Sequence, residues 1–200
     1  GAALTGVGVT FPVITLIAAF TNLFSTGGTP LCSIARGKGD EDRAKRIEAL
    51  TLTMQIVMGL ALMVVLYIVR KPVLYVLGAS DITYVYAEKY LSIYLLGTVF
   101  MMIGTGMNGF INLQGFPKMG MLTTIIGAGI NIILDPLFIF VLDMGVTGAA
   151  VATVTSQFVS CCFVLRFLFG RETIIKISVK DLFKFDFRLL KDMVTLGLSG

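Results

Sequence analysis

Apolar residues in this chain run together instead of alternating with polar ones. Gly1–Ala35, Ala49–Val69, Tyr90–Pro117, Met119–Leu134 and Met144–Leu165 contain no charged side chain. A helix crossing the hydrocarbon core of a bilayer needs roughly 20 such residues. Nearly every run reaches that length, and the one that falls short is ended by Asp135. Strands of a transmembrane barrel would alternate apolar and polar positions over segments of about ten residues; these runs are apolar throughout. The pattern predicts an all-α, polytopic membrane helix bundle. Five complete spans are expected at 7–35, 49–69, 90–114, 119–142 and 146–168, with a further helix beginning near 192.

Composition agrees. Charged residues make up 14% of the chain and hydrophobic residues 56%, where a soluble domain carries about 25% charged residues. No charged segment precedes the first run and no short apolar core ends at a cleavage site, so the start does not read as a signal peptide. The chain opens on Gly1 and closes on "DMVTLGLSG", which looks like the opening of another span. It is expected to be a piece of a longer protein.

Charge sets the orientation. With the loops taken on alternate sides, thirteen of the 16 basic residues fall on one side, including Arg36, Arg43, Lys45, Lys118 and Arg171. Arg70, Lys71 and Lys89 fall on the other. Basic loops stay on the cytoplasmic side of a membrane, so the net charge of +4 is a topology signal and gives no reason to invoke nucleic acid. The segment "RETIIKISVKDLFKFDFRLLK" repeats a base every four residues from Lys176 to Arg188. Two readings stand open: an amphipathic helix on the anionic inner leaflet, or an ordinary solvated connector. "KPVLYVLGAS" reads as an outer interfacial helix stopped by Gly78.

Candidate chemistry concentrates at one position. In "GINIILDPLFIFVL" a carboxylate, Asp135, stands in an apolar span. An ionised Asp near the bilayer centre costs about 2.5–3.5 kcal/mol on insertion scales, so such a residue faces the bundle interior or a watery cavity. Gly127, Asn131 and Asp135 are four apart and share one helix stripe. Pro136 has no N–H for the carbonyl of Ile132, which predicts a kink. Carboxylate, amide oxygen and freed carbonyl together suit Na⁺ or H⁺; the competing reading is an Asp that only locks helix packing. Asn108 with Asn112, and Thr153 with Gln157, repeat the four-residue spacing and read either as ligands or as helix–helix glue. Asp143 reads as a solvated helix-end charge, and the ten methionines as packing. Cys32, Cys161 and Cys162 read as apolar filler: adjacent cysteines on a helix neither close an ordinary disulfide nor offer zinc spacing. With no histidine and a single buried acid expected, an intramembrane enzyme lacks its minimum set of groups.

The block "NGFINLQGFPKMGMLTTIIGAGINIILDPLFIFVLDMGVTGAAVATVTSQ" (108–157) resembles the multidrug and toxic compound extrusion (MATE) family. So do "STGGTPLCSIARGKGDEDRA" and "GASDITYVYAEKYLSIYLLG". The resemblance covers essentially the whole chain. It implies that the five spans are helices two to six of a twelve-helix, two-lobed exporter, with "LLKDMVTLGLSG" opening the seventh. Residues 1–169 would then be the N-terminal lobe bundle, 170–190 a cytoplasmic inter-lobe linker, and 191–200 the start of the C-terminal lobe. "LGLSG" departs from relatives that carry a Pro in that helix. The family's coupling acid on its first helix has no counterpart here, because that helix is outside this chain.

The resemblance also implies an activity: antiport, exporting cationic or amphipathic compounds against inward Na⁺ or H⁺ in a multi-pass cell membrane (inner or plasma). The cation-binding group would be Asp135, Asn131, Asn108 and Thr153, with Tyr90 and Gln157 lining the substrate cavity. No cofactor beyond the coupling ion is expected, and no metal apart from Na⁺ at Asp135. The expected partners are small amphipathic substrates and membrane lipids, with a monomeric full-length form. The alternative within the same superfamily is a lipid-linked oligosaccharide or lipid flippase, which would need basic side chains for a pyrophosphate, and no expected span carries an internal Arg or Lys.

Overall fold

Away from water, each backbone N–H and C=O must find its partner within its own segment, and long apolar runs therefore become helices. The computed structural model describes residues 1–199. Its helices follow in order: α1 (Ala2–Val9), α2 (Phe11–Gly37), α3 (Glu41–Val76), α4 (Asp81–Leu96), α5 (Thr98–Gly106), α6 (Asn108–Leu113), α7 (Pro117–Pro136), α8 (Gly145–Leu168) and α9 (Phe187–Ser199). No strand occurs among the described residues. The expected all-α polytopic bundle is the architecture observed, although the ends of several elements move.

The first span is α1 and α2 together, interrupted at Thr10, whose hydroxyl donates to the Val7 carbonyl at 2.6 Å. The second, α3, is 36 residues long. At 1.5 Å per residue it reaches about 54 Å, well beyond a core roughly 30 Å thick, so both ends stand outside the hydrocarbon. Asp40 caps its start by accepting the Arg43 N–H at 3.0 Å, and Glu41 and Asp42 lie in the first turn, where negative charge is favoured. The expected separate interfacial helix after Lys71 is instead the outer end of α3. Pro72 is accommodated within the helix, and Gly78, at φ 98°, turns the chain into α4.

The third span starts earlier than expected, under a capping box of Ser80 and Thr83, and it is not straight. The axis bends by 57° between α4 and the α5–α6 stretch. Gly97 sits at the bend, where a Cβ would lie 2.9 Å from Cγ2 of Val154. The missing side chain lets α8 press into the elbow.

Beyond α8, residues 169–186 contain one short 3₁₀ turn, Val179–Phe183, and form a connector. The amphipathic-helix reading is therefore corrected. Thr173, Ile175 and Ile177 are buried while Ile174, Lys176 and Ser178 are exposed, which is the two-residue period of extended chain. The spacing of the bases had suggested four. Asp181 pins the turn: it accepts from the Ser178 N–H at 2.8 Å and hydroxyl at 2.9 Å, and from Lys184 at 3.2 Å. Lys45 of α3 approaches to 3.3 Å. Those donors, the Ser178 backbone N–H first, hold the Asp181 carboxyl far below the usual carboxylate range.

Two apolar cores stack along the bundle. The one toward the Lys/Arg-rich end gathers Phe24, Leu50, Phe110, Leu168, Ile175 and Met193; the outer one gathers Ile17, Leu74, Leu91 and Met102. Lipid tails are as apolar as these side chains, so close fit rather than escape from water holds the helices. The closest fit joins α2 to α9. A Cβ on Gly27 would overlap the Met193 carbonyl, and one on Gly197 would overlap the Leu23 carbonyl. α7 packs along α8 but turns much of its surface outward. It buries Gly120 and Thr123 and leaves Ile132 70% and Ile133 69% exposed.

Candidate functional site

Asp135 lies at the end of α7, one residue before its last, Pro136. The backbone then winds into a π-helical turn, Leu137–Val141, in which the Leu142 N–H reaches back to the Leu137 carbonyl at 2.9 Å. The expected kink thus takes the form of a widened turn, an irregularity common beside functional groups. One turn earlier, the Asn131 amide nitrogen stands 3.4 Å from Oδ1 of Asp135 and 3.5 Å from Oγ1 of Thr153. The nitrogen, not the expected amide oxygen, faces the acid, since a carboxylate can only accept. Thr153 donates its own proton to the Ala149 carbonyl at 3.0 Å, which leaves its oxygen lone pairs free. Three side chains from α7 and α8 therefore form one chain: Asp135, Asn131, Thr153.

This chain borders an open cleft of about 540 Å³ whose wall includes Asn108, Asn131, Thr153 and Gln157. Asp135 does not itself line the cleft; it is reached through Asn131. Asn108 lines it but is tied elsewhere. Its amide donates to the Gly120 carbonyl at 2.9 Å and to Oγ1 of Thr123 at 2.8 Å, and its oxygen accepts from Asn112. In this geometry Asn108 fastens α6 to α7 and makes no bond to Asp135. Gln157 reaches the Tyr94 hydroxyl at 3.5 Å, while its own Oε1 is buried without a partner. Tyr94 in turn stacks on Tyr90 with ring centroids 5.9 Å apart. Tyr90, buried against α8, is also joined to the cleft directly: its hydroxyl lies beside Thr153, with Asp135 near. Ser160, whose hydroxyl donates to the Thr123 carbonyl at 3.2 Å, also lines the cleft. It was missed because a lone serine in an apolar run carries no pattern.

A second polar group escaped the sequence reading altogether. Glu48, one residue before the expected start of the second span, is 0% exposed, which corrects the expectation of a single buried acid. α3 begins at Glu41, so Glu48 lies two turns inside it and faces inward. Gln114 donates to its Oε1 at 3.2 Å.

The arrangement of apolar spans, bent and broken around a polar cleft with a half-buried acid beside a proline, defines a polytopic helical membrane protein. The MatE family model matches residues 1–137, and the chain belongs to the MATE family. It is 27% identical to the multidrug export protein MepA of Staphylococcus haemolyticus (strain JCSC1435), over 98% of this chain and 46% of that relative. It therefore spans less than half the length of that curated relative. Among solved structures it resembles the inward-facing conformation of a multidrug resistance MATE family transporter of the MOP superfamily, with TM-score 0.92 and 29% identity over 98% of this chain and 45% of that one. It also resembles the outward-facing conformation of such a transporter, with TM-score 0.90 and 29% identity over 98% and 43%.

Proposed function

We propose that this chain supplies one lobe of a cation-coupled antiporter that exports cationic or amphipathic compounds, with Asp135, Asn131 and Thr153 as its ion-coupling group. The observation that carries the reading is the Asn131 amide shared between the acid and the hydroxyl at the wall of the cleft. Asn108 contributes by holding α6 on α7, and Gln157 and Tyr90 by shaping the cavity. When a cation neutralises Asp135, Asn131 no longer needs to donate to it and can turn its oxygen toward the neutralised acid. With the negative charge beside the cleft gone, its grip on a cationic compound weakens. Coupling of this kind requires that ion and compound each distinguish the two states of the protein.

The near-equal likeness to inward-facing and outward-facing relatives supports movement of the lobe as a unit. In this reading 1–169 form the lobe, 170–190 the linker and 191–200 the start of the next lobe. With its amide nitrogen toward the acid, Asn131 stabilises the ionised, cation-ready carboxylate, whereas ligation of Na⁺ by the amide oxygen requires the amide to flip. A flippase would need basic groups for a pyrophosphate, and the cleft wall contains no Lys or Arg. The test is efflux by the full-length protein carrying Asp135→Asn, expected at the level of cells without the transporter. Undiminished export that still depends on the ion would remove this acid from the mechanism.

A further inference from the structure

Glu48 sits where four elements meet: the end of α2, the start of α3, the end of α6 and the segment after α8. The centre of the junction is Gln114. Its Oε1 accepts three donors from one short stretch: the Thr173 hydroxyl at 2.6 Å, the Ile174 N–H at 2.8 Å and the Ile175 N–H at 3.0 Å. Backbone N–H groups can only donate, so the amide orientation is fixed and Nε2 must point the other way, to Glu48. Arg36 braces the neighbouring residue by donating to the Leu113 carbonyl at 2.7 Å. The charged group facing Glu48 is this same Arg36 of α2, with the Cys32 thiol of α2 also near. The other two elements offer the neutral Gln114 and Thr173. Arg36 makes no ion pair with Glu48 among the described residues. Two polar atoms are left without partners in this buried space: Oε2 of Glu48 and Nε of Arg36.

That pattern distinguishes two states of the acid. Protonated on Oε2, Glu48 still accepts from Gln114 through Oε1, and the junction stands as described. Ionised, it has an unpaired charged oxygen in a fully buried site, which is far more costly than an unpaired hydroxyl. The cation acting on it is Arg36 across the junction, and a carboxylate that swings toward that charge draws Oε1 away from Gln114. Gln114, no longer held from behind, loses its fixed aim at residues 173–175.

We propose that Glu48 is a proton-binding site that controls how firmly Gln114 clamps the 173–175 stretch to the bundle. The clamp is closed when the carboxyl is protonated and loosened when its proton leaves to water. The segment so held is the one that the proposed function makes the inter-lobe linker, but the inference stands on this junction alone, whatever Asp135 does.

The test is hydrogen exchange of peptides covering 171–178 in the full-length protein in lipid nanodiscs, from mildly acid to mildly alkaline buffer, corrected for the intrinsic pH dependence of exchange. In the wild type, protection is expected to fall by roughly tenfold toward alkaline pH, the scale of one hydrogen bond lost from an opening equilibrium. Glu48→Gln keeps the acceptor and cannot ionise, so its protection should stay high and flat. Gln114→Ala should lower protection at every pH. The proposal is overturned if wild type and Glu48→Gln show the same profile, if the wild-type profile is flat, or if Gln114→Ala retains full protection. Should Gln114→Ala fail to fold, the first two outcomes decide. The readout is local exchange rather than transport, so an inactive Asp135 variant leaves it untouched.

Discussion

Two acids set on the bundle helices, Asp135 and Glu48, are housed in very different ways. Asp135 lies on α7, half open beside a cleft and touched by one long hydrogen bond from Asn131. Glu48 lies on the long α3, 0% exposed, with a tightly bonded glutamine in front of it. An acid that trades ions with its surroundings needs a loose neighbourhood and a path; an acid that governs a joint needs neither until it ionises. The contrast predicts that changes around Asp135 alter transport while sparing the fold, and that changes around Glu48 and Gln114 do the reverse.

The sharpest break of that contrast is Asp135→Asn. It should abolish efflux while leaving the unfolding midpoint in detergent near that of the wild type. If the fold collapses instead, Asp135 belongs with the structural acid. Next in size is Gln114→Ala, which strands the Ile174 and Ile175 N–H groups and the Glu48 oxygen, while the Thr173 hydroxyl keeps the Ile175 carbonyl at 3.1 Å. It should destabilise the protein by about 3 kcal/mol, since each buried group left unpaired costs about 1–3 kcal/mol, as read by reversible denaturation. Gly27→Ala forces a methyl group against the Met193 carbonyl, so about 2 kcal/mol is expected, within the usual range for overpacking. An engineered disulfide between α2 and α9 in this background should then form poorly.

Smaller still is Asn108→Ala, expected to cost about 1 kcal/mol of stability through the lost α6–α7 bonds while ion dependence persists. Asn131→Ala should do the opposite. The smallest effect concerns pH. The Asp181 carboxyl is depressed in the folded state, so its contribution is fully present above the unfolded value of about 3.9 and is lost as pH falls through the lower folded value. The stability gap between wild type and Asp181→Asn should be flat from neutral to mildly acid solution and close only in strong acid.

Much of this was legible in the chain. Uninterrupted apolar runs marked the spans, because a run of that length satisfies its own backbone in a bilayer as a helix, and the four-residue spacing of Asn131 and Asp135 marked one face of α7. What stayed hidden was set by partners distant in sequence. Glu48 stands among charges at a helix start and looks solvated until Gln114, 66 residues on, closes over it. The bend at Gly97 depends on Val154 pressing from α8. The alternation in "TIIKIS" was present but masked by the lysine spacing that overlays it. Asn108 and Asn131 look alike as letters; which atoms remain free depends on neighbours that only packing supplies.

The backbone-to-backbone seam between α2 and α9 has a mechanical consequence. With glycine on both sides and carbonyls where side chains would be, the seam has no cushion to slide on. Sliding of α9 along α2 is therefore blocked until the two backbones part. Relative motion of the two helices has to open across the seam, at right angles to it.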